Sequence, residues 1–466
     1  METRFIDKVL GRVISVLLFH LLTFLPLSAQ PSYTLQQLKD SALHNNIAIR
    51  TARLNIDAAR QQRREAFTKY FPNVSGTGLW FNANKGMAQT TVNPSEVIPS
   101  SLAPTLAASL PAEALAALAN PISISMMKNG TIGSLMAMQP VFAGGQIVNG
   151  NRLAKVGEEV SRLQLRLSEQ EVEEATEEYY WQIVSLQEKM KTVDAVDTLL
   201  ADISKDVEVA VRAGVAMRND LLQVQLRQND VESQRLKLQN GIGIVHLLLA
   251  QYCGLDREEW SVKSGAFASA ANPASDGSAV ANATPNTLNA TLEGLPEYQL
   301  LQKQVEASKL QKKMAIGQQL PSLAVGAGYN YHNLLDRDHT FGMVCATVSV
   351  PISDWWGGSH IIKRRKIEQQ KAEQQLADNA ELLEIRIRKA WNDMQEAGQQ
   401  VTIAQRSIRQ AEENLRLNRN YYQAGTSKMS DLLEAQLLYQ QACDKLTDAR
   451  IGYETSCLKY RHAIGQ

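Results

Sequence analysis

Acidic residues at equivalent positions in two halves of the chain are the strongest candidates for chemistry. Asp220 and Asp431 lie 211 residues apart, each where an apolar helical pattern begins, and Glu434 follows Asp431 by three residues. Residues at i and i+3 share a helix face, so Asp431 and Glu434 would present two carboxylates together. Repeated by symmetry around a pore, they would form a cation-attracting constriction. Alternatively, they are first-turn charges that each stabilise a helix start by under about 1 kcal/mol.

The residues just before these carboxylates repeat at the same spacing. Ala213-Gly214 corresponds to Ala424-Gly425, and a glycine at this point indicates the end of a helix. We expect the next helices to be capped by Asn219 or Asp220 and by Ser430 or Asp431. Each half of the chain therefore predicts a helical hairpin.

The first arm of each hairpin is predicted to be very long. Between Gly145 and Gly214 there is no proline, and glycine occurs only at 150 and 157. About 65 helical residues would span roughly 100 Å, so the apolar face must meet another rod. In the second copy this face follows the 4-3 spacing of a left-handed coiled coil, through Leu376, Ala380, Leu383, Ile387, Ala390, Met394, Ala397, Val401, Ala404, Ile408, Ala411 and Leu415. The first copy keeps eight equivalents apolar: Leu165, Val172, Tyr179, Ile183, Leu186, Met190, Val193 and Leu200.

Two segments that read as strands precede each long helix. They span about 73–81 and 131–141 in the first copy, and about 322–331 and 340–350 in the second. In the third segment, apolar residues from Leu323 to Tyr331 alternate with small or polar ones, as in a transmembrane β-strand or in a sheet on a soluble core. The pattern assigns no faces to the second and fourth segments. Because four strands cannot close a barrel, a membrane barrel would need several chains.

The remaining segments set the predicted boundaries. Residues 1–29 have the basic start, apolar run and small-residue end of a secretory signal peptide; the alternative is a membrane anchor. The first repeat spans 30–252 and the second 291–466, with a linker or equatorial segment at 253–290. A helix at about 35–70 or 296–319 opens each repeat. The proline-bearing stretch 82–130 is predicted to be a long external loop whose Ala112–Ala119 part could form a short helix.

Composition argues against several classes of function. The formal net charge is zero, from 48 basic and 48 acidic residues, which gives no general electrostatic case for nucleic acid. The seven histidines have no metal-site spacing, and phosphate-binding and nucleophile motifs are absent from the sequence. Cys253, Cys345, Cys443 and Cys457 are interpreted as packing residues. We therefore expect neither an enzyme nor a cofactor or metal requirement.

The duplicated order of helix, strand, strand, long helix and shorter helix resembles the outer membrane efflux protein family, the TolC-like channels. The local matches are Tyr422-Gln423-Ala424-Gly425-Thr426, Asp431-Leu432-Leu433-Glu434-Ala435, Gln139-Pro140-Val141-Phe142-Ala143-Gly144-Gly145 and Val350-Pro351-Ile352. The resemblance implies a mainly α protein with a small membrane β part. Its coiled-coil hairpins would form an α-barrel tunnel, and its four strands would join a trimeric twelve-stranded β-barrel.

The resemblance also implies a function. This would be the outer-membrane exit duct of a tripartite efflux or type I secretion system in a Gram-negative bacterium, with most of the chain in the periplasm. A homotrimer would work with a periplasmic adaptor protein and an inner-membrane pump. Asp431, Glu434 and Asp220 would gate the periplasmic tip, and Tyr422 and Lys428 could latch it. The family's latch arginine aligns with Ser427. Ala213, Gly214, Ala424 and Gly425 would lie where the adaptor docks.

Two other classes of function fit parts of the pattern. A periplasmic adaptor-like protein would bridge two membranes through a coiled-coil hairpin, although two hairpins and four strands argue against it. A fibrous surface protein would use its rods for reach. The exported cargo is not encoded in any motif of the sequence.

Overall fold

The computed structural model describes residues 32–93, 97, 99, 101–102, 109–111, 113–114, 116, 120–256, 260–262, 292–334, 337–352 and 354–465. In chain order the elements are β1 (Ser32–Tyr33), α1 (Leu35–Asn45), α2 (Ile47–Thr68), β2 (Asn73–Asn82), β3 (Ala88–Val92), β4 (Ile122–Met126), β5 (Asn129–Ala143), α3 (Gln146–Arg212), α4 (Arg218–Cys253), β6 (Ser261–Val262), α5 (Pro296–Gly317), β7 (Ser322–His332), β8 (His339–Ser349), α6 (Asp354–Gln423) and α7 (Met429–Ala463). The predicted signal peptide, part of the proposed Ala112–Ala119 helix and most of the 253–290 linker lie outside the described residues.

The described chain divides into two units. The helical unit comprises the described residues of 1–54, 163–299 and 378–466, and the sheet unit comprises those of 55–162 and 300–377. The long helices α3 and α6 contribute residues to both units. Among the described residues, no helix combines the length and the apolar composition that crossing a membrane requires.

A four-stranded antiparallel sheet is the centre of the sheet unit. Its strand order is β2-β5-β7-β8, so β2 and β8 are the edge strands of the single chain. The sheet is open and does not close on itself into a barrel. A β-bulge interrupts the pairing of β5 with β7 between Pro140 and Phe142, close to the point where β5 gives way to α3.

The register assigns a face to every strand, including the two that the sequence left open. Directly paired residues lie on the same face of a sheet. One face is apolar and exposed in the single chain, and it carries Val74, Trp80, Leu135, Tyr329, Val344 and Val348. The opposite face, called the polar face below, carries the small or polar residues Ser75, Ser134, Gly326, Asn330, Cys345 and Thr347, interspersed with larger apolar side chains, among them Met136, Met138, Met343, Leu79 and Phe341.

The helical unit buries the predicted seam of α6. All twelve positions from Leu376 to Leu415 are buried or half-buried, with Val401 at 1% exposure. This confirms the coiled-coil face that the 4-3 spacing predicts. The eight apolar equivalents on α3 are also buried or half-buried.

The first repeat buries a broader surface than its spacing predicts. Tyr180, Trp181 and Val184 are almost fully buried beside the seam residue Ile183. They pack in one cluster, which also contains Leu38, Ile49, Val172, Leu249 and Trp260. The buried carboxylate of Glu177 is paired with Lys39 Nζ at 2.5 Å. This middle part of α3 is therefore enclosed by α1 and α4, which explains its apolar residues outside the 4-3 pattern.

One local prediction was wrong. The predicted helix at 35–70 is interrupted at Asn46, whose ψ of 135° is extended. Its side chain accepts a hydrogen bond from Ala48 N at 2.8 Å and donates one to Tyr252 O at 3.1 Å, so it caps α2 while holding α4. Within the predicted external loop 82–130, β3 and β4 pair as antiparallel strands.

Candidate functional site

The two hairpin turns have the same backbone structure. Gly214 and Gly425 have φ of 75° and 74°, the left-handed conformation that ends a helix. Val215 N bonds to Ala210 O at 3.0 Å, and Thr426 N bonds to Tyr421 O at 2.9 Å, as in a Schellman motif. A side chain at either glycine would be strained by roughly 1–2 kcal/mol. The duplicated Ala-Gly pair therefore encodes two equivalent tight turns, and the side chains beyond them distinguish the tips.

The caps of the helices after the turns lie two residues earlier than the earliest predicted caps. The N-cap residues are Met217 and Lys428, so the prediction of Asn219 or Asp220 and of Ser430 or Asp431 was wrong. Asp220 and Asp431 are instead the third residues of their helices. Each carboxylate accepts a hydrogen bond from the backbone N–H of its cap residue at 3.2 Å. These carboxylates satisfy an otherwise unpaired donor and oppose the positive end of the helix dipole.

A hydrophobic cluster beneath the turns joins residues of the two repeats. Ile203 and Val207 on α3 and Val224 on α4 pack in one cluster with Met429 and Leu432 on α7. All five are at most 4% exposed. Burying each of these side chains contributes on the order of 1.5–3 kcal/mol, which makes the cluster the main support of the tip.

The predicted pore carboxylates differ in their surroundings. Asp431 and Glu434 are exposed, whereas their neighbours Leu432 and Ala435 are buried. Asp431 also accepts a hydrogen bond from Ser430 Oγ at 3.2 Å. Asp220 is half-buried. The α7 tip therefore presents two carboxylates to solvent on one helix face, and the α4 tip presents one that is partly enclosed.

The predicted latch residues are only partly brought together. Tyr422 packs against the cluster of the two repeats. Burial raises the pKa of its phenol, and the nearby negative charge of Asp220 raises it further. Lys428 is exposed, and no ion pair of it occurs within the described part of the chain. Ser427, between Thr426 and Lys428, has a buried hydroxyl with no hydrogen-bond partner among the described residues.

A buried polar network between α4 and α7 escaped the sequence analysis. Arg227 donates hydrogen bonds to Gln436 Oε1 at 2.9 Å and to Gln440 Oε1 at 2.8 Å. Gln440 in turn donates to Gln234 Oε1 at 2.7 Å. Burial lowers the pKa of Arg227, and Asp230 acts in the opposite direction. The available signal was the i, i+4 spacing of Gln436 and Gln440 beside the apolar face of α7.

Comparisons with known proteins give a family model that matches part of the chain and solved structures that share its fold. Residues 287–466 match the family model described as outer membrane efflux protein. No curated protein matches the chain. Three solved structures are similar over 92% of this chain: VceC of Vibrio cholerae (15% identity, 96% of that chain, TM-score 0.71), the CmeC outer membrane channel of Campylobacter jejuni (14%, 85%, 0.70) and the MtrE outer membrane channel of Neisseria gonorrhoeae (15%, 88%, 0.68).

These matches confirm the predicted fold class. The chain is mostly helical, has few strands, and shares the fold of TolC-like channels. The identities are too low to carry over the role of any residue. Whether the carboxylates, tyrosine and glycines of the tip act as predicted is therefore a question for experiment.

Proposed function

We propose that this chain, whose residues 287–466 belong to the outer membrane efflux protein family, is an outer-membrane exit duct. It serves a tripartite efflux or type I secretion system as a passive trimeric channel of a Gram-negative bacterium. Most of the chain lies in the periplasm, where the tips of the helical hairpins gate the duct. Energy for export comes from an inner-membrane pump, to which a periplasmic adaptor connects the duct.

The observation that carries the proposal is the open sheet β2-β5-β7-β8. Its edge strands β2 and β8 have no further strand beside them among the described residues, and one face is apolar and exposed. An unpaired backbone group in lipid costs several kcal/mol, so a membrane sheet of this kind must close. Three copies supply twelve strands, enough for a barrel with a polar interior. The apolar face then meets lipid, and the polar face lines the duct.

The gate is assigned to the exposed carboxylates of the tip. Asp431 and Glu434 lie on one face of α7, and three copies bring six such groups around the axis. Rings of carboxylates attract cations and set the selectivity of a pore. Asp220 and Tyr422, which lie close to each other, hold the two hairpins of one chain together at the tip, and Lys428 adds a basic group there.

The adaptor is proposed to dock on the hairpin turns. The turns at Ala213-Gly214 and Ala424-Gly425 are exposed and free of bulky side chains. The residues that follow differ, since Val215 and Met217 are 80% and 74% exposed at the first turn, where the second turn has Thr426 and Lys428. An adaptor can therefore distinguish an apolar tip from a polar one.

Assembly is tested by fractionation and mass measurement of the full-length protein. We expect it in the outer-membrane fraction, extractable only with detergent, as a trimer that dissociates and changes its gel mobility on heating. A compact monomer released into buffer by osmotic shock would contradict the proposal and favour a periplasmic adaptor-like protein.

The gate is tested by planar-bilayer recording with a salt gradient. We expect cation selectivity that falls in Asp431→Asn and Glu434→Gln and falls further in the double variant, because each change removes three charges from the constriction. Asp448→Asn is the matched control on the same helix, since its carboxylate is exposed but paired with Lys189 Nζ at 2.7 Å. Selectivity that is equal in all variants would refute the gate while leaving the duct intact.

A further inference from the structure

The polar face of the sheet carries side chains that bind soft metal ions, in successive cross-strand rows. Met138, Gly326 and Cys345 form one row, because Met138 pairs with Gly326 and Gly326 pairs with Cys345. Two residues along, Met136 and Met343 lie on either side of Gly328. At the end of the same face, the cross-strand pair His332 and His339 has ring centroids 5.2 Å apart.

The first row brings two sulfur atoms together over a residue without a side chain. Sδ of Met138 lies against the position that a Cβ of Gly326 would take, and Sγ of Cys345 lies 3.2 Å from the same position. The sulfurs reach this point from the strands on the two sides of β7. Cys345 is a free thiol that is only partly buried, and Met138 is also partly buried. A small ion could therefore reach both sulfurs.

The types of ligand select the kind of ion. No group of three or more His, Cys, Asp or Glu side chains suited to a metal occurs among the described residues, so a site here depends on thioethers. Thiolate and thioether ligands select soft ions such as Cu(I), whereas carboxylates and carbonyls suit hard ones. Neutral imidazoles suit copper as well. The simplest alternative is that the methionines only fill the gaps above glycines, as this flexible side chain often does.

We propose that the polar face of this sheet binds a soft monovalent cation, Cu(I) or Ag(I), between Met138 Sδ and Cys345 Sγ. The thiol releases its proton to water as the metal–sulfur bond forms, and no electron is transferred. Met136 and Met343 form a second pair about 7 Å farther along, at two residues of strand rise. Binding depends on the sheet alone, whereas the statement that this site lines the duct depends on the proposed function.

Titration with Ag(I) in chloride-free buffer, on the full-length protein in detergent, measures the site directly. We expect Cys345→Ser to remove one tightly bound ion per chain, and Met138→Leu to lower its affinity by at least ~10-fold, the loss typical even for a group outside the coordination shell. The double variant should lose no further ion. Cys443→Ser and Met394→Leu are the controls elsewhere in the chain and should retain that ion.

Gly326→Ala tests the geometry without removing a ligand. The added Cβ would lie 3.0 Å from Ala137 O and would occupy the space between the two sulfurs, so binding should be lost. Gly78→Ala on β2 is the control, because nothing lies within 4 Å of a Cβ there. Unaltered heat-modifiable migration shows that a variant is assembled. If Gly326→Ala does not assemble, the titration of Met138→Leu decides the question.

Alkylation of Cys345 provides a second readout. Bound Ag(I) should protect this thiol from iodoacetamide in the wild-type protein, and Met138→Leu should remove most of the protection. Equal Ag(I) affinity and equal protection in Met138→Leu would refute the proposal, because the metal would then bind a single thiol. Neither measurement requires transport. A failed bilayer recording would therefore count against the proposed duct, and a failed titration against the metal site.

Discussion

At the scale of single residues, duplication preserved the position of a carboxylate but not its surroundings. Asp220 and Asp431 make the same hydrogen bond to the backbone of their cap residue. Asp220 is half-buried, and its charge helps to raise the pKa of Tyr422, which packs under the turns, whereas Asp431 is exposed to solvent. The same local motif therefore supplies a charge to the interior of one tip and to the surface of the other.

The electrostatic effect of Asp220 on Tyr422 predicts that a substitution of Asp220 changes the pKa of Tyr422. The Asp220 carboxylate disfavours the tyrosinate, so Asp220→Asn should lower the pKa of Tyr422 towards its ordinary value, although burial will keep it raised. A pH titration of ¹³C-labelled tyrosine, assigned with Tyr422→Phe, measures the change. Asp431→Asn should leave this pKa where it is. An unchanged pKa in Asp220→Asn would mean that the two side chains are not neighbours in solution.

A second carboxylate predicts a dependence of stability on pH. Burial raises the pKa of Asp444, opposed by Lys189, and its Oδ1 has no hydrogen-bond partner among the described residues. A raised carboxyl pKa means that the charged form disfavours the fold, so the stability is fully present at low pH and is lost as pH rises through that pKa.

Replacing Asp444 should therefore stabilise the protein near neutral pH. Asp444→Asn is expected to unfold at a higher temperature than wild type at about pH 7, and the difference should shrink as the pH falls towards about 4. Thermal unfolding in detergent across this range measures it. Asp393→Asn should show no such gain, since that carboxylate is exposed and paired with Lys389. A lower unfolding temperature for Asp444→Asn at neutral pH would contradict the prediction.

At the scale of elements, α4 and α7 are held partly by polar groups where a coiled coil would use apolar ones. Gln436 and Gln440 are 0% and 4% exposed, and both accept hydrogen bonds from Arg227. Gln436 Nε2 has no hydrogen-bond partner among the described residues. A buried network with one unsatisfied group contributes less to stability than apolar packing would. Breaking such a network is nevertheless strongly destabilising, because it leaves further buried polar groups without partners.

Arg227→Leu should therefore be strongly destabilising. It leaves Gln436 Oε1 and Gln440 Oε1 without their donor, which lowers the free energy of unfolding by about 1–3 kcal/mol for each buried group. Urea unfolding compared with wild type measures the loss. Arg235→Leu on the same helix removes only an exposed pair of ion contacts, to Asp194 and Asp197, and should cost at most ~1 kcal/mol. Restored stability in Arg227→Leu/Gln436→Leu/Gln440→Leu would show that the cost lies in the unpaired groups.

At the scale of the whole molecule, the sheet is open, and the proposed trimer is what would complete it. Nothing in the described part of the chain covers its apolar face, and Val344 and Val348 on the edge strand β8 are 85% and 66% exposed. In the proposed trimer this face contacts lipid, so its composition is set by the membrane. The opposite face of the same strand carries Met343 and Cys345 and contacts the interior.

The two faces of β8 should therefore respond differently to a charge. Val344→Arg places a cation in the band that faces lipid in the proposed trimer, which destabilises the barrel by about 2–4 kcal/mol near the bilayer midplane. This variant should lower the amount of trimer in the outer membrane. Met343→Arg, one residue away and at nearly the same depth, points to the opposite face and should assemble normally. Equal losses in both variants would argue against the assignment of the faces.

The sequence alone determined the features that depend on spacing along the chain. The 4-3 pattern of α6, the paired Ala-Gly turns and the positions of four strands are local, since each follows from helix or strand periodicity and from glycine at a positive φ. Tertiary structure decided what depends on neighbours distant in sequence: the faces of β5 and β8, the break at Asn46 beside α4, and the pairing of Arg227 with Gln436. These depend on which strand or helix lies alongside, because a polar side chain is retained in a buried position only where a partner meets it.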